Sequence, residues 1–260
     1  MINMEHAKQV FLEYVKNYDA NDSKIALKIG HILRVMELSK LFAINLGWEK
    51  EDIEIATLIG LLHDIGRFEQ IKVYHTFTDS ESIDHANYGC EQLFEKGLIR
   101  KFIEEDTYDK IIEKAIYNHN KLKIEEGLDE KTLKHAKLIR DADKTDIFET
   151  SLFSKQEDIF NRKHEPNGTI NPLAIKSFMN GETVKYADSL NTYDSLIGKL
   201  SFIYDYNYKV SLQYIKEKDY LNKIVSRFYE TYEPKKRETK EQIESILKIA
   251  NEYIEKNTIT

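Results

Sequence analysis

"WEKEDIEIATLIGLLHDIG", residues 48–66, decides the fold. Acidic residues stand at its start, where they suit the positive end of a helix dipole, and an apolar run follows. The spacing predicts a helix closed by Gly66. Near its end two costly polar groups, His63 and Asp64, sit among Ile59, Leu61, Leu62 and Ile65. An unpaired buried carboxylate is expensive, so either a metal ion or a helix-terminal hydrogen-bond network must offset the burial. His63 shares a face with Ile59 and Ala56, and Asp64 with Gly60 and Thr57, so the two side chains diverge by about 100°. From mid-helix such a pair does not chelate one small ion. At a helix end both side chains can enter one cavity, and Asp64 can bridge two ions.

Outward from this stretch the pattern stays helical. With only 3 prolines and 10 glycines, and no sustained alternation of polar and apolar residues, the chain reads as all-α. Residues 4–18 form a first helix, and 23–46 a second with Ser23 as its cap and Gly47 as its stop. Leu27, His31, Val35, Leu38 and Phe42 make the stripe of that second helix. After the 48–66 helix, "RFEQIKVYHTFTDSESID" reads as a surface loop, its residues 67–83 forming the lip of a pocket. Asp84 caps a fourth helix through Lys96. "TYDKIIEKAIYNHN" is a fifth and "DEKTLKHAKLIRDADKTDIFETSLF" a sixth; "NRKHEPNGTINP" is a loop, and further helices follow. The expected organisation is a core over 22–150, with 1–21 and 151–260 as flanking helices packed on it in one compact unit.

Composition narrows the function. No run approaches the roughly 20 apolar residues that cross a bilayer, and the start reads as an amphipathic helix, so the expected location is the cytoplasm, with no membrane partner. A single cysteine, Cys90, excludes an intrachain disulfide and a Cys-built zinc site; it reads as a small buried side chain. A net charge of −7 argues against long nucleic acids, which need a basic surface. A small phosphorylated substrate remains compatible, because a metal supplies positive charge locally.

The remaining signal is polar groups on apolar faces. His31 lies inside its stripe. His119 falls four after Ala115 and seven after Ile112, Asp143 in the stripe Ala136, Ile139, Asp143, Ile147, and His85 in the first turn after Asp84, with small Gly89 on its side. Each alone reads as a satisfied core residue, with Arg140 the plain partner for Asp143. Together, four histidines and two aspartates on five helices point inward. Imidazole and carboxylate are ligands for Mn, Fe, Co, Mg, Ni or Zn, and six of them suit two ions better than one.

The order His31, His63-Asp64, Asp143 resembles the HD superfamily, named after the adjacent pair. "LLHDIGR" is similar to its signature segment, and "RDADKTDIFE" to the segment carrying its last metal-binding Asp. The resemblance spans roughly residues 22–150. It implies an all-α bundle, and in most members hydrolysis of phosphate esters. It also implies that His31, His63, Asp64 and Asp143 hold a first ion, and that Asp64 bridges to a second completed by His85 and His119. Asn120 stands where some relatives carry another histidine, which speaks against a third ion.

The chemistry expected on this basis is a metal-dependent phosphohydrolase cleaving a phosphomonoester or phosphodiester of a small molecule, such as a nucleotide, by a metal-activated hydroxide. Asp64 is the bridging ligand. Lys144, beside a ligand, and then Arg67 are the candidate donors to charge developing at phosphorus. The bland partners of Arg67 are Glu69 and Asp79. Thr76, Thr78 and Ser80 are candidate substrate contacts, and His75 a candidate proton donor. His6, His135 and His164 read as idle or structural. Tyr204, Tyr208 and Leu212 pack a core or a contact between copies of the chain. Two other functions fit the same ligands: a di-iron oxygenase of the HD type, and a metal-stabilised regulatory or binding module without turnover.

Overall fold

Caps and close approaches, more than helix interiors, position the polar residues. The computed structural model describes residues 1–19, 21–160 and 162–258, and every regular element among them is helical. The chain divides after Asp146 into two compact units. No strand occurs among the described residues; Lys163 and Asn191 form an isolated backbone bridge. Among the described residues no helix is long and apolar enough to cross a membrane.

In the first unit α1 spans Met4–Val15, α2 Ser23–Asn45, α3 Lys50–Leu62, α4 Gly66–Tyr74, α5 His85–Cys90 and α6 Asp109–Asn118. The long helix α7, Glu130–Phe153, follows. Asp22, one residue before the expected Ser23, caps α2 by accepting from the Lys24 N–H. An aspartate side chain outside the helix reaches those free amides, whereas Ser23 is already helical. Gly47 ends α2 region as expected, with φ +68°. Asp84 caps α5, accepting from the N–H groups of Ala86 and Asn87. Buried Phe11 of α1 meets Phe68 of α4 with ring centroids 6.0 Å apart, so the N-terminal helix is part of this unit.

Two expectations need correction. The third helix stops at Leu62, and Gly66 opens α4 instead of closing α3. The apolar pattern runs unbroken through Ile65, so periodicity alone hides the break. Residues 67–74 are likewise helical, with buried Phe68, Gln70 and Ile71 on one face of α4. The irregular lip is shorter, from His75 to Asp84, with one 3-10 turn over Asp79–Glu81. His75 takes the left-handed φ of +56° that stops α4.

Glycines set two helix contacts. A Cβ at Gly60 would lie 2.8 Å from the Met36 Cα and from the Ser39 hydroxyl, so α3 lies tightly against α2. A Cβ at Gly66 would lie 2.2 Å from the His85 carbonyl oxygen. Gly89 lies across from Gly66, but a Cβ there would meet only ordinary contacts, from 3.5 Å, so the tight side is Gly66.

The second unit continues with α8 Gln156–Ile159, α9 Pro172–Met179, α10 Thr192–Leu200, α11 Lys209–Glu217, α12 Tyr220–Tyr232 and α13 Arg237–Asn257. Its core mixes aliphatic side chains with aromatic rings, Phe160 lying edge-on to Phe228 at 4.9 Å. Ile243, Ile246, Ala250 and Ile254 form the buried stripe of α13. Tyr204 packs between Phe178 and Tyr253, at 5.1 and 4.8 Å. It does so from a 3-10 turn, because the helix breaks between Asp205 and Lys209.

Candidate metal centre

The end of α3 solves the problem its sequence poses. His63 caps the helix, its N–H donating to the Ile59 carbonyl at 2.8 Å, and the chain turns through Asp64 and Ile65 into α4. At this turn both side chains enter one buried space instead of diverging on a helix face. His31 arrives from α2, His85 from the first turn of α5, His119 from the cap of α6, and Asp143 from α7. The four histidines and Asp64 are buried; the Asp143 side chain is 21% exposed.

Each histidine is held by Nδ1. His31 donates to Asp146 Oδ2 and His85 to Asp79 Oδ2, both at 2.6 Å. His63 donates to the Gly60 carbonyl at 2.8 Å and His119 to the Ile116 carbonyl at 2.6 Å. Carbonyls and carboxylates only accept, so all four Nδ1 atoms carry hydrogen and all four Nε2 atoms face the centre. This is the arrangement by which neighbouring groups orient histidine ligands.

The Nε2 atoms form two groups sharing Asp64. In the first, His31 Nε2 lies 3.3 Å from His63 Nε2, 3.2 Å from Asp143 Oδ1 and 3.4 Å from Asp64 Oδ2. His63 Nε2 is 3.6 Å from Asp64 Oδ2 and 3.8 Å from Asp143 Oδ1. In the second, His85 Nε2 and His119 Nε2 are 3.0 Å apart, and lie 3.2 and 3.6 Å from Asp64 Oδ1. Ligand bonds of roughly 2.0–2.2 Å put neighbouring donors about 3.0–3.5 Å apart, so both groups have the spacing of a cation's ligands. Asp64 turns one oxygen to each group, and its buried Oδ1 has no hydrogen-bond partner. Facing imine nitrogens repel unless a proton or a cation lies between them. The donor set therefore fits divalent metal.

Burial and the carboxylates pull the imidazoles of the metal-free centre in opposite directions. Burial, helped by Lys28, pushes the His31 pKa down, but hydrogen bonds to Asp143, Asp146 and Asp64 outweigh both and raise it to about 10. His63 goes the other way, to about 3, because burial dominates the nearby carboxylates. Burial works to raise Asp64, yet Lys28 and the surrounding imidazoles hold it well below the usual carboxylate range. Asp143 and Asp146 are lowered in the same way, burial being overcome chiefly by His31.

The other candidates fare differently. Arg67 has the bland partner, with Nη1 2.7 Å from Asp79 Oδ1 and from the Phe77 carbonyl, while its buried Nε points toward Asp64 Oδ1 at 3.6 Å. Lys144 is half-buried on α7 beside Asp143. His75 is exposed, and the Thr76 hydroxyl accepts from the Thr78 N–H. Arg140 serves the turn carrying His119, donating to the carbonyls of Asn118 and Lys121. Asn120 donates to Asp84 at 3.0 Å. His135 is structural, with Nε2 3.0 Å from Asp52, and His164 bonds the Thr192 hydroxyl.

Sequence reasoning missed the supports. Asp146 is fully buried and accepts from Arg34 Nε at 2.6 Å as well as from His31. The available signal was spacing: Asp146 follows Asp143 by three residues and Arg34 follows His31 by three, one helical face in each case. Lys28, three residues before His31, carried the same spacing signal, and Asp79 was expected only as a partner of Arg67, not of His85.

Residues 29–147 match the family model described as the HD domain. No curated protein and no solved structure matches the chain.

Proposed function

We propose, from the match of residues 29–147 to the HD-domain family model, that the protein is a metal-dependent phosphohydrolase acting on a small phosphorylated compound, such as a nucleotide. The observation that carries the proposal is the convergence of four Nε2 atoms on the two oxygens of Asp64. In this reading His31, His63, Asp64 and Asp143 hold one divalent ion, and Asp64, His85 and His119 a second. Bound there, such ions supply Lewis acidity at a phosphoryl oxygen and lower the pKa of a water.

The chain's own groups do the rest. Asp146 and Asp79 fix the His31 and His85 rings through Nδ1, so that Nε2 lone pairs are presented without reorganisation. Arg67, anchored by Asp79 and the Phe77 carbonyl, keeps a fixed positive group beside the cavity, and Lys144 adds a second. Leu61 and Leu62, just before the turn that carries His63 and Asp64, are fully buried.

The test is metal analysis of the purified full chain together with a phosphatase and phosphodiesterase panel. The expected result is anaerobic release of phosphate or alcohol with Mn or Co, abolished by chelation. Dependence on iron and oxygen, with no hydrolysis under any metal, would replace the proposal by the oxygenase; background rates throughout would leave a binding module.

A further inference from the structure

Resting on that reading, we propose that Lys28 is the phosphate-binding residue of the site, and that its exchange of Asp64 for substrate selects phosphomonoesters over diesters. Lys28 lies on α2 one turn before His31. Its Nζ sits 2.5 Å from Asp64 Oδ2, the oxygen facing the His31–His63 group. The Lys28 side chain is only 16% exposed, and that of Asp64 4%. The ammonium also lies over the ring of Phe77, 5.4 Å from its centroid, and the Arg67 guanidinium approaches the same ring at 5.9 Å. The segment carrying Phe77 is tied to α2, the Lys24 ammonium donating to the His75 carbonyl at 2.5 Å. Lys28 is thus sandwiched between a candidate ligand and the pocket lip.

The consequence is electrostatic. Two other cations beside the site have their own anions: Arg67 has Asp79, and Arg34 has Asp146. Lys28 has Asp64. Once both oxygens of Asp64 ligate cations, Lys28 loses the better part of its counter-charge while its stem stays buried. A largely buried ammonium without an anion is costly, so it must find another one within reach. A phosphoryl oxygen entering beneath Phe77 is that anion. Lys28 together with one or two divalent ions outweighs the charges of Asp64 and Asp143, and this excess favours the dianion of a phosphomonoester over the monoanion of a diester. A charge-assisted bond of this kind corresponds to about ten- to a hundredfold in affinity.

The experiment uses the full chain. Mn²⁺ alone is titrated first by calorimetry, then inorganic phosphate into the Mn-loaded protein, for wild type and Lys28→Met. Steady-state kcat/KM is measured on an aryl phosphate and on the matching diaryl phosphate. The expected result is Mn²⁺ affinity equal to or tighter than wild type, phosphate binding weakened at least about tenfold, and a monoester-to-diester ratio reduced by a similar factor. Phosphate affinity within twofold of wild type overturns the proposal. So does weakened Mn²⁺ binding, which would make Lys28 a structural counter-ion. If Lys28→Met does not fold, Lys28→Gln, which still donates to Asp64, is held to the same two criteria. Failure of the wild type to bind Mn²⁺ would instead overturn the functional reading beneath.

Discussion

Asp146→Asn tests whether the carboxylate missed in the sequence governs the centre. Asp146 accepts from His31 Nδ1 at 2.6 Å and from Arg34 Nε and Nη2 at 2.6 and 3.0 Å. Asparagine keeps the shape but offers one oxygen and one NH2. If the oxygen faces Arg34, the NH2 meets His31 and forces Nδ1 to become the acceptor. The proton then sits on Nε2 and blocks ligation. If the oxygen faces His31, the amide donors meet Arg34. A bond to a charged group contributes about 1.5–3 kcal/mol. The Arg34 side chain is 38% exposed, so water recovers much of its share. The net destabilisation of the metal-free protein is therefore about 2–3 kcal/mol, mostly from the His31 side. Loss of the ring's orientation weakens metal binding by about 10- to 100-fold. Urea unfolding in chelator reads the first quantity and Mn²⁺ calorimetry the second. A variant destabilised as expected, yet binding Mn²⁺ within twofold of wild type, would refute the claim that Asp146 orients a ligand.

Gly66→Ala places a Cβ 2.2 Å from the His85 carbonyl oxygen, so α4 and α5 must separate at a cost of about 1–3 kcal/mol. An unchanged urea midpoint would show that the contact yields freely. Asp64→Ala should empty both groups together, because its two oxygens serve one each; metal content equal to wild type by elemental analysis would exclude the bridge. His135 gives a pH signature outside the centre. Its ring is buried beside Trp48, Nδ1 has no hydrogen-bond partner, and burial lowers its pKa to about 4. The folded state thus resists protonation, and this contribution is complete above about 6.5 and lost as pH falls through 4. For metal-free protein, the stability difference between wild type and His135→Gln should fall by about 3 kcal/mol from pH 7 to pH 4. A difference independent of pH over that window would show that His135 titrates normally.

The helical class, the inward faces of His31, His119 and Asp143, and the oddity of His63-Asp64 are all properties of neighbours within a few residues. They follow from a 3.6-residue repeat and the cost of burying charge, so the chain order displays them. The break after Leu62 escaped because apolar residues continue through Ile65 into buried Phe68, and a buried turn looks like a buried helix in one dimension. The helix α4 escaped for the same reason in reverse: its buried face is short and its other residues are polar.

Tertiary structure alone decided which groups meet. His31 and Asp146 are 115 positions apart, and Lys28 and Asp64 36 apart. Spacing puts Asp146 on the face of Asp143 and Lys28 on that of His31, but it does not say which distant group either one meets. A hydrogen bond is directional and short-ranged, so its partner depends on how the helices pack. That packing rests on contacts such as Gly60 against α2 and Gly66 against α5. The sequence by itself determined which side chains are available to grip a cation. Only the packed helices decided that four Nε2 atoms and both oxygens of one carboxylate share a single buried space, because convergence is a property of distance between elements and not of order along the chain.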